Sequence, residues 1–105
     1  LKETDKKLVK FELDIFWVVN VNVDPITLFE QNEGRFAMWH VKDMDKTDHK
    51  VFTEVGTGRI DYKTIFENRK LAGNKFIFVE QDVIKKDPFE SISESFNYVN
   101  QNLLK

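Results

Sequence analysis

Three residues that can bind metal ions or transfer protons follow three strand-like segments of the chain. Asp14 ends the segment LVKFELD, His40 lies in FAMWHV, and Glu80 follows KFIFV. If these segments are parallel strands, their carboxyl ends share one edge of a sheet, where α/β proteins place their active sites. Two carboxylates and an imidazole suit a hard or borderline divalent cation. The pattern therefore predicts that the three side chains converge on a metal or acid–base site.

Each of the three residues also has an ordinary structural explanation. An Asp at a strand end often caps the following segment, and a His beside Trp39 often makes a hydrogen bond within the packing. A Glu can simply mark the point where a strand reaches solvent. The recurrence of such residues at equivalent ends of three strands is what favours a shared site.

The strands themselves are predicted from apolar runs, partly with a two-residue period. They cover residues 8–14, 36–41 and 75–79. Glu12 and Asp14 face the same side of the first strand, which is costly in an apolar interior but natural in a polar cavity. Residues 16–23 are predicted to be a strand end running into a loop, and the charged segment 43–54 is predicted to be a loop.

Helices are predicted after each strand. The pairs Asp24-Pro25 and Asp87-Pro88 place a side-chain acceptor before a Pro in the first turn, and Asp61 supplies a third cap. The last helix carries an apolar stripe at helical spacing, formed by Phe89, Ile92, Phe96, Val99 and Leu103. Three strand–helix units in succession predict an α/β fold with a parallel sheet and right-handed crossovers.

Composition excludes several classes of function. The 105 residues include no Cys, so thiolate metal sites and a Cys nucleophile are excluded. The net charge is -2, and basic residues are interleaved with acidic ones, so we expect no nucleic-acid partner. No apolar run approaches the roughly 20 residues of a membrane span, so we expect no membrane partner.

Gly56-Thr57-Gly58 is the most glycine-rich motif in the chain. It either cradles an anion with backbone N–H groups or forms a flexible turn. It is not a dinucleotide-binding fingerprint, because the third glycine is missing and no strand directly precedes it.

Four segments together resemble the sugar phosphate isomerase/epimerase family, the xylose-isomerase-like group of (β/α)8 barrels. They read FELDIFWVVNVNVDP, GRFAMWHVKDMD, VGTGRIDYKTIF and FIFVEQD, in the family's order and spacing. The resemblance implies three consecutive strand–helix units of a (β/α)8 TIM barrel, with residues 1–105 as its C-terminal part. The barrel would be incomplete in this chain, because a closed one needs about 250 residues.

The resemblance also implies a metal-dependent sugar (phosphate) isomerase/epimerase that transfers a proton next to a carbonyl. Members of the family bind one divalent ion through two Glu, one Asp and one His. This mixed carboxylate and imidazole ligation admits Mn, Mg, Co or Zn. Asp14, His40 and Glu80 match three of these ligands, and the fourth, an earlier Glu, would lie upstream. Glu80 would also act as a catalytic acid–base group, and Lys42 and Trp17 would bind substrate. Trp17 stands where some sugar epimerases of this group carry a His.

The implied partners are a sugar or sugar phosphate substrate and further protein. Because a three-stranded parallel sheet has two open edges, we expect the chain to self-associate or to need the missing N-terminal half of the barrel. We expect little activity from the chain alone. Two alternatives stay open: a small α/β binding module without catalysis, and a metal-dependent nuclease, which the acidic composition disfavours.

Overall fold

The fold is a short parallel sheet with helices packed on one side. The structure, a computed structural model, describes all residues from 1 to 105. The strands are β1 (Glu12–Asp14), β2 (Met38–Val41), β3 (Asp43–Met44), β4 (Phe52–Thr53) and β5 (Phe76–Val79). The helices are α1 (Ile15–Asn20), α2 (Pro25–Gln31), α3 (Tyr62–Glu67), α4 (Arg69–Ala72) and α5 (Pro88–Tyr98), and a π-helical turn (Val99–Leu103) continues α5. None of the helices combines the length and the hydrophobicity that crossing a membrane requires.

The parallel sheet has the strand order β1-β2-β5, with β2 in the centre. Its register pairs Asp14 with His40, and His40 with Phe78. The carboxyl ends of all three strands therefore lie at one edge, as the sequence predicts. This α/β arrangement is compatible with part of a TIM barrel, and the barrel is not closed.

The predicted helix starts are confirmed. The Asp24 side chain accepts hydrogen bonds from the N–H groups of Ile26 and Thr27, and Pro25 begins α2. The Asp61 carboxylate caps α3, and the Asp87 carboxylate caps α5. These caps satisfy backbone donors that a helix leaves free in its first turn.

The core lies between the sheet and the helices. Trp39 on β2 is fully buried and stacks on Phe29 of α2, with ring centroids 5.3 Å apart and planes 7° from parallel. The Phe66 ring lies nearly perpendicular to the same indole, with ring centroids 5.6 Å apart. Because side chains alternate across a strand, His40 points to the opposite face, away from this core.

Two segments differ from the structure that the sequence predicts for them. The sequence predicts a strand end and a loop over residues 16–23, but residues 15–20 form α1. The Asp14 carboxylate caps this helix by accepting a hydrogen bond from the N–H of Trp17. The β-branched run there looks like a strand, but burial of Ile15 and Phe16 against the core stabilises a helix. Within 43–54, β3 and β4 pair as a short antiparallel ladder.

The predicted apolar stripe of the last helix is only partly buried. Val99 and Leu103 lie in the core, whereas Phe89 is 81% exposed and Phe96 is 58% exposed. The buried face of α5 is formed instead by two serines, Ser91 and Ser95. Small hydroxyl side chains let α5 approach the preceding loop closely, because Ser91 donates to the Glu54 carboxylate at 2.8 Å and Ser95 accepts from the N–H of Val55 at 3.0 Å.

Candidate metal and substrate site

The three candidate metal-binding residues predicted from the sequence lie together at the carboxyl edge of the sheet. One ligand atom each from Asp14, His40 and Glu80 lies within 4.8 Å of the others. Metal–ligand bonds to nitrogen and oxygen are about 2.0–2.2 Å long, so a single ion needs only small side-chain adjustments to reach all three. The donor set, two carboxylates and one imidazole, fits a divalent cation.

His40 is held between two carboxylates. Its Nδ1 lies 2.9 Å from Glu80 Oε2, and its Nε2 pairs with the Glu12 carboxylate. Burial lowers the pKa of His40, but the hydrogen bonds with Glu80 and Glu12 outweigh it, and the net pKa is raised. A metal-binding His characteristically gives its second ring nitrogen to a carboxylate. Glu12 fills that position if Nδ1 faces the ion.

Glu12 contacts His40 in the site, although the sequence analysis did not predict a functional role for it. It stands two residues before Asp14, so the strand period already places both on one face. The pair of acidic residues on one face of β1 indicates which way the Glu12 side chain points. Nothing in the sequence indicates its contact with His40.

Lys42 is the most heavily paired residue of the site. Its Nζ lies 2.8 Å from Asp14 Oδ2, 2.8 Å from Glu80 Oε2 and 2.8 Å from Asp82 Oδ2. The side chain is only 2% exposed. Burial lowers the pKa of Lys42, but the hydrogen bonds to the three carboxylates outweigh it and raise the pKa. The ammonium therefore stays protonated, and Asp82 joins the site as a further acidic residue.

Glu80 contacts both His40 and Lys42 through the same oxygen, Oε2. The hydrogen bond from Lys42 lowers the pKa of Glu80, burial opposes this change, and the hydrogen bond from His40 adds to the lowering. The carboxylate is therefore ionised at neutral pH, as a metal ligand or a proton acceptor must be.

Tyr62 holds the backbone of Lys42 in place through two hydrogen bonds. Its hydroxyl donates to the Lys42 carbonyl oxygen at 2.5 Å and accepts from the Lys42 N–H at 3.1 Å. Burial raises the pKa of Tyr62 well above its usual value, so the phenol keeps the proton that it donates. Nothing in the sequence around Tyr62 indicates this contact, because Lys42 lies 20 residues earlier in the chain.

The glycine motif binds an anion that belongs to the chain itself. The Oδ2 of buried Asp43 accepts from the N–H groups of Gly56 and Gly58 at 3.0 and 3.1 Å. Its Oδ1 accepts from Met44 at 2.8 Å and from Ile60 at 3.1 Å. Burial raises the pKa of Asp43, and these four hydrogen bonds oppose the rise. The glycine motif therefore forms an anion-binding cradle, and this cradle anchors the loop next to Lys42.

Trp17 lies beside the site rather than among the clustered polar groups. Its indole is 50% exposed and meets Phe52 edge-on, with ring centroids 6.0 Å apart. The Lys42 ammonium lies 5.7 Å from the centroid of the same Phe52 ring. Phe52 therefore links the exposed indole to the polar site.

Comparisons with known proteins find similar sequences and similar structures. No protein-family model matches the chain. Two curated relatives, both described as inosose dehydratase and both from Lacticaseibacillus casei (one from strain BL23), are 29% identical over 119 aligned positions. The alignment covers 95% of this chain and 40% of each relative, so the chain spans about two fifths of their length.

Two solved structures from Parabacteroides distasonis ATCC 8503, both described as sugar phosphate isomerase/epimerase, share the fold. The first has a TM-score of 0.80 at 29% identity and covers 99% of this chain and 35% of its own. The second has a TM-score of 0.77 at 24% identity and covers 99% of this chain and 36% of its own.

These comparisons confirm the resemblance to the sugar phosphate isomerase/epimerase proteins of the xylose-isomerase-like group. The relatives named inosose dehydratase fall in the same TIM-barrel superfamily. The chain thus resembles a superfamily of enzymes that modify carbohydrates.

Proposed function

We propose that this chain contributes part of the active site of a metal-dependent sugar (phosphate) isomerase or epimerase. The convergence of Asp14, His40 and Glu80 at the carboxyl edge of the sheet carries the proposal. The mixed carboxylate and imidazole donors admit Mn, Mg, Co or Zn. The chain corresponds to the C-terminal three strand–helix units of the barrel.

Each polar residue has a role that its contacts support. Asp14, His40 and Glu80 would hold the ion, which would polarise the carbonyl and hydroxyl oxygens of the substrate. Glu80 is ionised and takes the proton from the carbon next to the carbonyl. Lys42 stays protonated, but three carboxylates surround its ammonium, so it would donate to a substrate oxygen or phosphate only once Asp14 and Glu80 release it. The exposed indole of Trp17 offers an apolar surface to the sugar.

The substrate is a polyhydroxylated carbonyl compound, either a sugar, a sugar phosphate or a cyclic ketone of the inosose type. The names of the similar proteins support this class. Epimerisation, aldose–ketose isomerisation and dehydration can all begin by removing a proton next to a carbonyl, so one site chemistry serves all three.

Hydrogen exchange tests the proposed reaction more sensitively than turnover does. The chain is incubated in D2O with Mn²⁺ and a panel of ketoses, ketose phosphates and an inosose, and deuterium next to the carbonyl is followed by NMR. We expect slow incorporation that stops with EDTA and in Glu80→Gln. Incorporation that persists at the wild-type rate in Glu80→Gln would show that Glu80 is not the base, and none above background with any compound would count against the proposal.

Further strands complete the site in this proposal, because one face of the sheet is open. Phe76 is 61% exposed and Phe78 is 47% exposed on the face that carries His40. Beside β5, Val79 and Phe96 help to line an open groove of about 550 Å³. Exposed apolar surface next to an unpaired strand edge is a site for protein association. The remaining strands of the barrel, or a second copy, cover this surface.

Self-association is therefore expected for the chain by itself. The molar mass measured by light scattering should rise with concentration for the wild type. For the double variant Phe78→Ser/Phe96→Ser, it should stay at the mass of the monomer. Phe89→Ser removes an equally large ring that is 81% exposed and does not line the groove, so it should associate like the wild type. A wild type that stays monomeric at high concentration would contradict this expectation.

A further inference from the structure

The Lys42 ammonium occupies the oxygens that a metal ion would need. Two of its three partners, Asp14 Oδ2 and Glu80 Oε2, belong to the proposed ligand residues, and each lies 2.8 Å from Nζ. A Lys is rarely buried so completely without neutralising partners. The ammonium supplies one positive charge between the carboxylates of Asp14 and Glu80, which would otherwise repel each other. These two residues and His40 are referred to as the ligand trio.

The third partner of Lys42 lies outside the ligand trio. Asp82 Oδ2 is 2.8 Å from Nζ and follows β5 by three residues. Asp82 can keep the ammonium when Asp14 and Glu80 release it. The hydrogen bonds from Tyr62 to both backbone groups of Lys42 hold the main chain in place, so that only the side chain needs to move.

We infer that Lys42 is the resident cation of the metal-free site, and that its ammonium withdraws from Asp14 and Glu80 toward Asp82 when a divalent ion binds. This inference rests on the proposed metal site. A divalent ion in reach of the trio would lie near the ammonium and repel it. Lys42 therefore keeps the carboxylates together without metal and lowers the affinity of the site for metal.

Calorimetric titration with Mn²⁺ tests the inference on the chain as it exists. Lys42→Met keeps a long apolar stem and removes the charge, so its affinity for Mn²⁺ should be about tenfold higher than that of the wild type. In EDTA its Tm should be lower, and Mn²⁺ should raise its Tm by more than it raises that of the wild type. Lys50→Met changes the net charge equally at an exposed position and should leave the affinity unchanged.

The outcomes separate this inference from the metal site on which it rests. Equal or weaker binding in Lys42→Met, with binding intact in the wild type, overturns the inference and keeps the metal site. No binding in any variant overturns both. If Lys42→Met fails to fold, the nitrogen NMR signal of the Lys42 ammonium in the wild type decides: it should shift when Zn²⁺ is added, and an unchanged signal at saturation overturns the inference.

Discussion

Replacing Asp43 by Asn is expected to lower the free energy of unfolding by about 3 kcal/mol. The Asp43 carboxylate accepts four backbone N–H groups, two on each oxygen. An Asn side chain presents an NH2 group to one of these pairs, so two donors lose their acceptor and face another donor. The loop cannot easily rearrange, because a Cβ at Gly58 would already lie 2.2 Å from the Met44 carbonyl oxygen.

Urea unfolding of Asp43→Asn, followed by circular dichroism, measures this loss. Asp45→Asn is the matched control, because Asp45 lies two residues further along the chain and caps an exposed turn by accepting hydrogen bonds from the N–H groups of Thr47 and Asp48. It should cost under about 1 kcal/mol. Equal effects of the two substitutions would mean that the buried cradle does not anchor the loop.

Replacing His40 by Ala is expected to weaken Mn²⁺ binding about 100-fold or more. His40 is the nitrogen donor among the three residues whose ligand atoms lie within 4.8 Å of one another. Loss of an orienting partner of a ligand typically costs 10–100-fold in affinity, and loss of the ligand itself should cost at least as much. Glu12→Gln, which alters only the partner of Nε2, should fall in the 10–100-fold range.

His49→Ala provides the matched control for this prediction. His49 is exposed in the loop between β3 and β4, and its side chain has no part in the cluster. Calorimetry should give it the wild-type affinity. Equal weakening in His40→Ala and His49→Ala would point to non-specific effects of losing an imidazole, and wild-type affinity in His40→Ala would exclude His40 as a ligand.

The position of the site at the carboxyl edge of the sheet was predictable from the sequence, because it depends on local rules. Asp followed by Pro fixes where α2 and α5 begin, and alternation along short strands fixes which side chains share a face. The equivalent positions of Asp14, His40 and Glu80 at three strand ends then suffice to bring them to one edge. None of this requires knowledge of packing.

The contacts within the site were not predictable, because they join residues distant in the chain. Lys42 is neutralised by side chains from β1 and from the segment after β5, and nothing near position 42 indicates this. The glycine motif meets Asp43, its anion, only after the loop between them has folded. Likewise, α5 turns Ser91 and Ser95 inward because hydrogen bonds with Glu54 and Val55 compensate for burying them.

Pulsed electron paramagnetic resonance of Mn²⁺ bound to the chain tests the central claim most directly, because it detects a nitrogen bonded to the ion. If Asp14, His40 and Glu80 form the metal site, the wild-type spectrum should show modulation from an imidazole nitrogen. That modulation should be lost in His40→Ala and kept in His49→Ala. Bound Mn²⁺ without nitrogen modulation, or with modulation that survives in His40→Ala, would contradict the account.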